Sequence, residues 1–151
     1  MPRLYVVDTN VVVSGVLRFA QASAPAVILD LMLGGRLPHV LSADLLGEYR
    51  RVLLRPRLVA RHGGGGPQVD VLLAALTTAA YLRQPAAVAL GELDDPAPAC
   101  PAGDEHVAWL LVREPWAALV SGDRRLLDAL RGWRDVLTPA EAIAEQAAGD
   151  E

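Results

Sequence analysis

Residues 4–13 read LYVVDTNVVV, an apolar run that stops at Asp8-Thr9-Asn10 and resumes at once with three valines. Residues 4–7 are continuously apolar and rich in β-branched side chains, which is typical of a strand buried on both faces of a parallel sheet. An ionised carboxylate is costly to bury alone, so Asp8 is expected either to be paired or to bind a metal ion. The segment therefore predicts a buried strand with an acid just beyond its carboxyl end.

The length and composition of the chain indicate one ordinary domain. Its 151 residues, 52% of them hydrophobic, suffice for a sizeable core, and we predict a single domain over residues 1–148 with a frayed tail at 149–151. No apolar stretch reaches the length of about eighteen residues that a membrane span needs, and the polar Asp8 and Asn10 argue against a signal peptide. The single cysteine, Cys100, cannot form an internal disulfide, which favours a cytoplasmic location.

Apolar runs alternate with helix-capping residues along the chain. The predicted strands are 4–7, 37–41, 117–121 and 135–137, with a short one near Val88 in an otherwise irregular segment 84–103. The predicted helices are one capped by Ser23 and ending at Leu33, then 43–54, 67–82, 104–112, 124–130, and a last one capped by Thr138; residues 63–66 are predicted to form a loop. This alternation predicts a three-layer α/β/α sandwich with a central, mostly parallel sheet.

Two acids follow predicted strands in the same way. Asp123 follows the strand 117–121 through Gly122, just as Asp8 follows the first strand. Ligands of parallel sheets bind beyond the carboxyl ends of the strands, so the two carboxylates are expected to share one crevice. The alternatives are a buried structural acid for Asp8 and an ordinary Gly-Asp turn for Asp123.

Two more acids lie on predicted helices. Glu48 lies on or beside the inward apolar stripe of its helix, although it could instead pair with Arg51 or Arg55 on the surface. Asp104 opens its helix, where it would cap the free amide groups, bind a ligand, or do both. Glu105 is the rival of Asp104 for a place in the crevice.

Converging carboxylates repel one another, and a hard cation such as Mg²⁺ or Mn²⁺ relieves that repulsion. Such a site suits phosphoryl chemistry, because a bound metal ion acidifies water and stabilises developing charge. The net charge of −4 argues against a protein that coats nucleic acid by charge alone, but not against a nuclease of this kind. The scattered His39, His62 and His106 and the lone Cys100 do not form a zinc-like pattern.

The chain resembles a known family, the PIN-domain nucleases, and most closely the VapC-like toxins of prokaryotic toxin–antitoxin modules. The segments that carry the resemblance are Val6-Val7-Asp8-Thr9-Asn10-Val11, Glu48-Tyr49-Arg50-Arg51-Val52-Leu53-Leu54-Arg55-Pro56-Arg57, Asp104 and Val120-Ser121-Gly122-Asp123-Arg124-Arg125-Leu126-Leu127. Their order and spacing cover nearly the whole chain.

The resemblance implies a PIN-like fold and an endoribonuclease that depends on Mg²⁺ or Mn²⁺. The four residues that match the acidic quartet of the family are Asp8, Glu48, Asp104 and Asp123. The accompanying polar residues are Asn10 and Ser121, to which we add Thr9 as a supporting residue. The family also implies an RNA substrate, 5′-phosphate and 3′-hydroxyl products, a cognate antitoxin and a homodimer. Pro101 stands where the family often carries another Asp, which bears on whether one or two metal ions bind.

The segment after Glu48 is rich in arginine. Arg50, Arg51 and Arg55 are candidate contacts to RNA phosphates, because a guanidinium binds phosphate in a bidentate manner. The alternatives are a solvated helix face or a surface for an acidic partner.

Two other functions compete with the nuclease. A non-catalytic PIN-fold module would only bind a partner. A haloacid-dehalogenase-like phosphatase would also place an Asp after the first strand, but it needs a second acid two residues later, where this chain has Asn10.

Overall fold

The computed structural model describes residues 3–149. The strands are β1 (Tyr5–Val7), β2 (Val40–Leu41), β3 (Tyr81–Leu82), β4 (Ala118–Val120) and β5 (Asp135–Leu137). The helices are α1 (Thr9–Leu17), α2 (Ala24–Leu33), α3 (Ala43–Leu53), α4 (Pro56–His62), α5 (Gly66–Thr78), α6 (Glu105–Arg113), α7 (Arg124–Leu130) and α8 (Pro139–Gly149). Short 3₁₀ turns lie at Phe19–Gln21 and Leu90–Glu92.

The five strands form one parallel layer in the order β3-β2-β1-β4-β5. β1 pairs with β4, β4 pairs with β5, and β2 pairs with β3, all in parallel. A single parallel bridge between Tyr5 and His39 joins the two groups. In the register of β1 and β4, Val7 lies opposite Val120, so the residues that follow them, Asp8 and Ser121, emerge side by side.

Helices cover both faces of this layer. All three residues of β1 and all three of β4 are buried, and successive strand residues point to opposite faces. On one face, Tyr5 of β1 donates its hydroxyl hydrogen to Glu145 of α8 at 3.0 Å. The predicted α/β sandwich with a mostly parallel sheet is therefore confirmed.

Helix α1 begins directly after Asp8 and contains the three valines of the opening segment. It packs against α2 and α3, and the contact with α2 is tight at Gly15. A Cβ atom on Gly15 would lie 2.8 Å from the carbonyl oxygen of Pro25 and 3.0 Å from Cβ of Leu29. The small residue thus lets the two helices approach closely, which fixes α1 under the end of β1.

The structure corrects three predicted elements. The helix predicted over 67–82 ends at Thr78, and Tyr81 and Leu82 instead form edge strand β3 beside β2. The strand predicted near Val88 is absent from the described residues, because the Val88 carbonyl accepts a hydrogen bond from Trp109 Nε1 at 3.0 Å rather than joining a ladder. The strand predicted over 37–41 is reduced to β2, with His39 contributing only the bridge to β1.

The chain ends in α8, whose start matches the predicted capping box. Thr138 and Glu141 exchange side chain to backbone hydrogen bonds of 3.0 and 3.2 Å. Of the tail predicted to fray, Gly149 is the last residue of α8, and 150–151 lie outside the described residues. Within 3–149, no helix combines the length and apolarity that crossing a membrane requires.

Candidate active site

A cavity of about 420 Å³ opens beyond the carboxyl ends of β1 and β4. All four predicted acids line it, each from a different part of the chain. Asp8 and Asp123 lie in the turns after the two strands, Glu48 comes from α3, and Asp104 precedes α6. The fold thus brings together the four carboxylates that sequence spacing had suggested.

Asp8 is the most deeply placed of the four, with 5% of its surface exposed. Its Oδ1 accepts a hydrogen bond from the Thr9 amide at 2.9 Å, and its Oδ2 accepts one from the Ser121 hydroxyl at 2.7 Å. Burial raises the pKa of Asp8, the neighbouring Glu48 and Asp123 raise it further, and the two hydrogen bonds oppose the rise. Two uncharged donors therefore hold the Asp8 carboxylate, and within residues 3–149 no basic side chain forms an ion pair with it.

The backbone under Asp8 is fixed from α3. The fully buried Tyr49 donates its hydroxyl hydrogen to the carbonyl of Val7, the last residue of β1. The sequence did not reveal this role of Tyr49 as a hydrogen-bond donor. This contact ties α3, which carries Glu48, to the strand that carries Asp8.

Ser121 and Asn10 join the two strand ends. The Ser121 hydroxyl donates to Asp8 and accepts the amide hydrogen of Asp123 at 3.0 Å. The Asn10 side-chain oxygen accepts the amide hydrogen of Gly122 at 3.2 Å. Asp123 in turn caps α7, because its Oδ1 accepts a hydrogen bond from the Arg125 amide at 3.0 Å. The predicted supporting residues thus orient the acids through hydrogen bonds.

Asp104 and Glu105 occupy different places. Asp104 is the N-cap residue of α6, yet its side chain makes no capping hydrogen bond and lines the acidic cavity. Glu105 accepts a hydrogen bond from the Gly103 amide at 2.9 Å and lines a smaller neighbouring cavity of about 270 Å³. Partial burial raises the pKa of Asp104 to about 6; the nearby carboxylates add to the rise, and His106 opposes it.

Glu48 has a partner that sequence analysis missed. His106 Nε2 lies 2.6 Å from Glu48 Oε2, and an ionised carboxylate only accepts, so the imidazole is the donor. His106 had been set aside as one of three scattered histidines. The available signal was its place two residues after Asp104, in the first turn of the same helix.

The three predicted phosphate-binding arginines diverge in the structure. Arg55 lines the acidic cavity, and Arg51 lines the smaller cavity on the other side of Glu48. Arg50 lies in a groove between α3 and α5, where its Nε is 2.8 Å from Asp70. Their contact with RNA stays a prediction, with Arg55 nearest to the acids.

Four other lining residues were not named as site candidates, and three of them lie on α1 and α4, two helices that were not predicted. The four residues are Val13, Ser14, Val52 and Leu58. Val13 and Ser14 follow Asn10 by one helical turn, so a predicted helix at 9–17 would have placed them on the same helix face as Asn10 and identified them as site residues.

The acids as they stand do not form a ready metal site. Among the described residues, no group of three or more Asp, Glu, His or Cys side chains is arranged to hold a metal ion. Asp8, Glu48 and Asp123 each direct a carboxylate oxygen to a protein donor instead.

The chemistry of the cavity nevertheless fits a hard cation. The candidate donors are all carboxylate oxygens, the type that Mg²⁺ and Mn²⁺ prefer. Thr9 Oγ1 is buried in a residue of the cavity wall and has no hydrogen-bond partner within the described part of the chain. Burial, together with the neighbouring carboxylates, raises the pKa values of Asp8 and Asp104, and a bound cation would stabilise their charged forms. The metal site therefore stays a prediction.

The chain matches a known protein family. A family model described as a PIN domain matches residues 4–125, a span that includes all four acids. No protein with a curated description matches the chain.

Proposed function

The chain belongs to the PIN-domain family, and from this premise we propose that it is a metal-dependent endoribonuclease, the toxin of a toxin–antitoxin pair. PIN domains are generally nucleases that use divalent metal ions and bind nucleic acid. The RNA substrate, the particular metal and the toxin role are our proposal.

The observation that carries the proposal is the convergence of four carboxylates on one cavity. The residues that would hold Mg²⁺ or Mn²⁺ are Asp8, Glu48, Asp104 and Asp123. When bound, such an ion supplies positive charge to the phosphodiester and acidifies water.

The remaining residues of the site orient these acids and the substrate. Ser121 holds Asp8 and the Asp123 backbone at once, so one hydroxyl sets the relative position of two acids. Thr9 and Asn10 hold the turn after β1. The Arg55 guanidinium borders the cavity and would contact the phosphate whose ester bond is cut.

The biological role rests on the likeness of the ordered motifs to VapC-like toxins. We propose that a cognate antitoxin protein controls the enzyme, that it acts as a homodimer, and that it acts in the cytoplasm. Pro101, in place of a frequent family Asp, favours a first metal position over a second.

Cleavage of a labelled single-stranded RNA pool in Mg²⁺, Mn²⁺ or EDTA tests the proposal, with single-stranded DNA in parallel. Asp8→Asn is expected to lower metal-dependent cleavage at least about 100-fold, because metal catalysis supplies several kcal/mol. Asp30→Asn, on the exposed face of α2, is the matched control and should cleave like the wild type. Cleavage that survives in Asp8→Asn would contradict the assignment.

The absence of a preformed metal group among the described residues favours one alternative, a PIN fold kept for binding alone. Calorimetry with Mn²⁺ separates the two functions. The nuclease should bind Mn²⁺ in a manner that Asp8→Ala abolishes, whereas a pure binding module should show no such binding.

A further inference from the structure

A second cavity, of about 560 Å³, lies beside the acidic one and has the opposite charge. Its lining residues are Arg55, Pro56, Arg57, Leu58 and Arg61. Arg55 and Leu58 also line the acidic cavity, so the two spaces share a wall. We call the second space the arginine pocket.

The described residues do not compensate the positive charges of the arginine pocket. Arg55, Arg57 and Arg61 are all exposed, and within residues 3–149 no carboxylate lies within 4.0 Å of their guanidinium nitrogens. Arg50, Arg83 and Arg134, in contrast, each have an acidic partner at 2.8 Å or less. The pocket thus offers three free guanidinium groups in a chain of net negative charge.

The local fold holds these groups together. Pro56 starts α4, and Arg57 and Arg61 are four residues apart, so they lie on the same face of that helix. Arg55 precedes Pro56 in extended backbone, at the junction between α3 and α4. The paired N–H donors of each guanidinium group match the oxygen atoms of a phosphate group in geometry.

We propose that the arginine pocket binds a backbone phosphate of single-stranded RNA next to the one that is cut. The inference rests on the proposed nuclease function, because the pocket adjoins the acidic cavity through Arg55 and Leu58. An RNA strand that enters the acidic cavity would run along this shared wall. The acids would contact the scissile phosphate, and Arg57 and Arg61 would bind the adjacent phosphate. The RNA strand would therefore run from the acidic cavity across α4.

The binding of a short fluorescein-labelled oligouridine in EDTA tests the subsite without requiring catalysis. The Arg57→Gln/Arg61→Gln double variant is expected to weaken binding about tenfold, as the loss of charge-assisted hydrogen bonds predicts. The slope of log Kd against log salt concentration should fall by about 0.7, the value for one lost phosphate contact on a single strand. The double variant Arg57→Lys/Arg61→Lys, which keeps the charges, should restore part of the affinity.

Arg36→Gln is the matched control, since it removes an exposed arginine that precedes β2, whereas the acidic cavity opens beyond the carboxyl ends of the strands. It should change the affinity less than about twofold. Melting curves of all variants check that they are folded. In Mn²⁺, the Arg57→Gln/Arg61→Gln variant should raise KM and leave kcat nearly unchanged, because it removes binding away from the reacting bond.

Each outcome decides the subsite separately from the nuclease. If the Gln variant binds oligouridine as tightly as the wild type, the subsite is wrong while wild-type cleavage still supports the nuclease; an acidic protein partner of the pocket would give this result. If Arg36→Gln weakens binding equally, or the wild type does not bind, the subsite is also wrong. If the Gln variant alone loses affinity but the wild type never cleaves, the subsite stands and the nuclease proposal fails.

Discussion

His106 Nε2 donates a hydrogen bond to Glu48 Oε2 across 2.6 Å, which joins α6 to α3 at the rim of the acidic cavity. The two side chains are only 12% and 18% exposed, so water competes weakly for this contact. His106 Nδ1 is buried and has no hydrogen-bond partner in the described residues. The imidazole thus has one strong partner, and that partner is a candidate metal ligand. We infer that His106 positions Glu48.

Replacement of His106 by Leu should therefore weaken Mn²⁺ binding by about 10- to 100-fold, as expected when a hydrogen bond that orients a metal ligand is lost. His106→Gln keeps an N–H donor near the Nε2 position and should retain most of the affinity. Calorimetry with Mn²⁺ measures both variants directly. If His106→Leu and His106→Gln lose the same Mn²⁺ affinity, the cause is altered packing of the side chain and not the orientation of Glu48.

Because the pKa of Asp104 is raised, its ionised carboxylate should lower the unfolding free energy of the metal-free protein in a pH-dependent manner. Its pKa rises from 3.8 to about 6 on folding, so the folded state favours the neutral form. The charged form destabilises the fold above about pH 6, and this cost disappears as the pH falls through 6 toward 3.8. Asp104→Asn should therefore raise the unfolding free energy at neutral pH, and the gain should shrink in acid.

Urea unfolding in EDTA at several pH values measures this gain. Asp30→Asn, on the exposed face of α2, is the control and should show no pH-dependent gain. A gain for Asp104→Asn that is the same at neutral and acidic pH would show that the cost of ionising Asp104 in the folded state is not its cause.

The strand ends and their acids were predictable because short-range chemistry determines them. A continuous apolar run must be buried, and an acid that follows it must lie at the carboxyl end of a strand. The positions of Asp8 and Asp123 therefore followed from the sequence. Asp104 and Glu48 were predicted less directly, yet they line the same cavity. Whether the four act as ligands stays a prediction.

The parts that could not be predicted depend on tertiary packing. Val11, Val12 and Val13 have strand propensity, but packing of α1 on α2 and α3 makes them helical. Helix α3 ends at Leu53, close to its predicted end, but helix α4 was not predicted, although the fixed φ of Pro56 suits a first helical position. The partner of Glu48 was missed because His106 lies 58 residues away in the chain.

Two glycines in helices should respond oppositely to alanine. Gly15→Ala places Cβ 2.8 Å from the Pro25 carbonyl oxygen, so it should push α1 from α2 and cost about 1–3 kcal/mol. The Cβ atom of Gly47→Ala, at an exposed position of α3, meets no atom within 4 Å and should stabilise the protein by about 0.5–1 kcal/mol. Urea unfolding measures both. A neutral Gly15→Ala would mean that the contact between the two helices is looser than described.

The three arginines after Glu48 should differ in their effect on RNA cleavage according to their surroundings. Arg55 borders the acids, so Arg55→Ala should lower kcat/KM about tenfold or more through a lost phosphate contact. Arg51, across Glu48 in the smaller cavity, should have an intermediate effect. Arg50 is already paired with Asp70, so Arg50→Ala should change kcat/KM less than about twofold. Each is measured with the same labelled RNA in Mn²⁺ at fixed ionic strength. Equal losses of kcat/KM for all three variants would mean that the summed positive charge of this segment attracts RNA, and not a defined contact at Arg55.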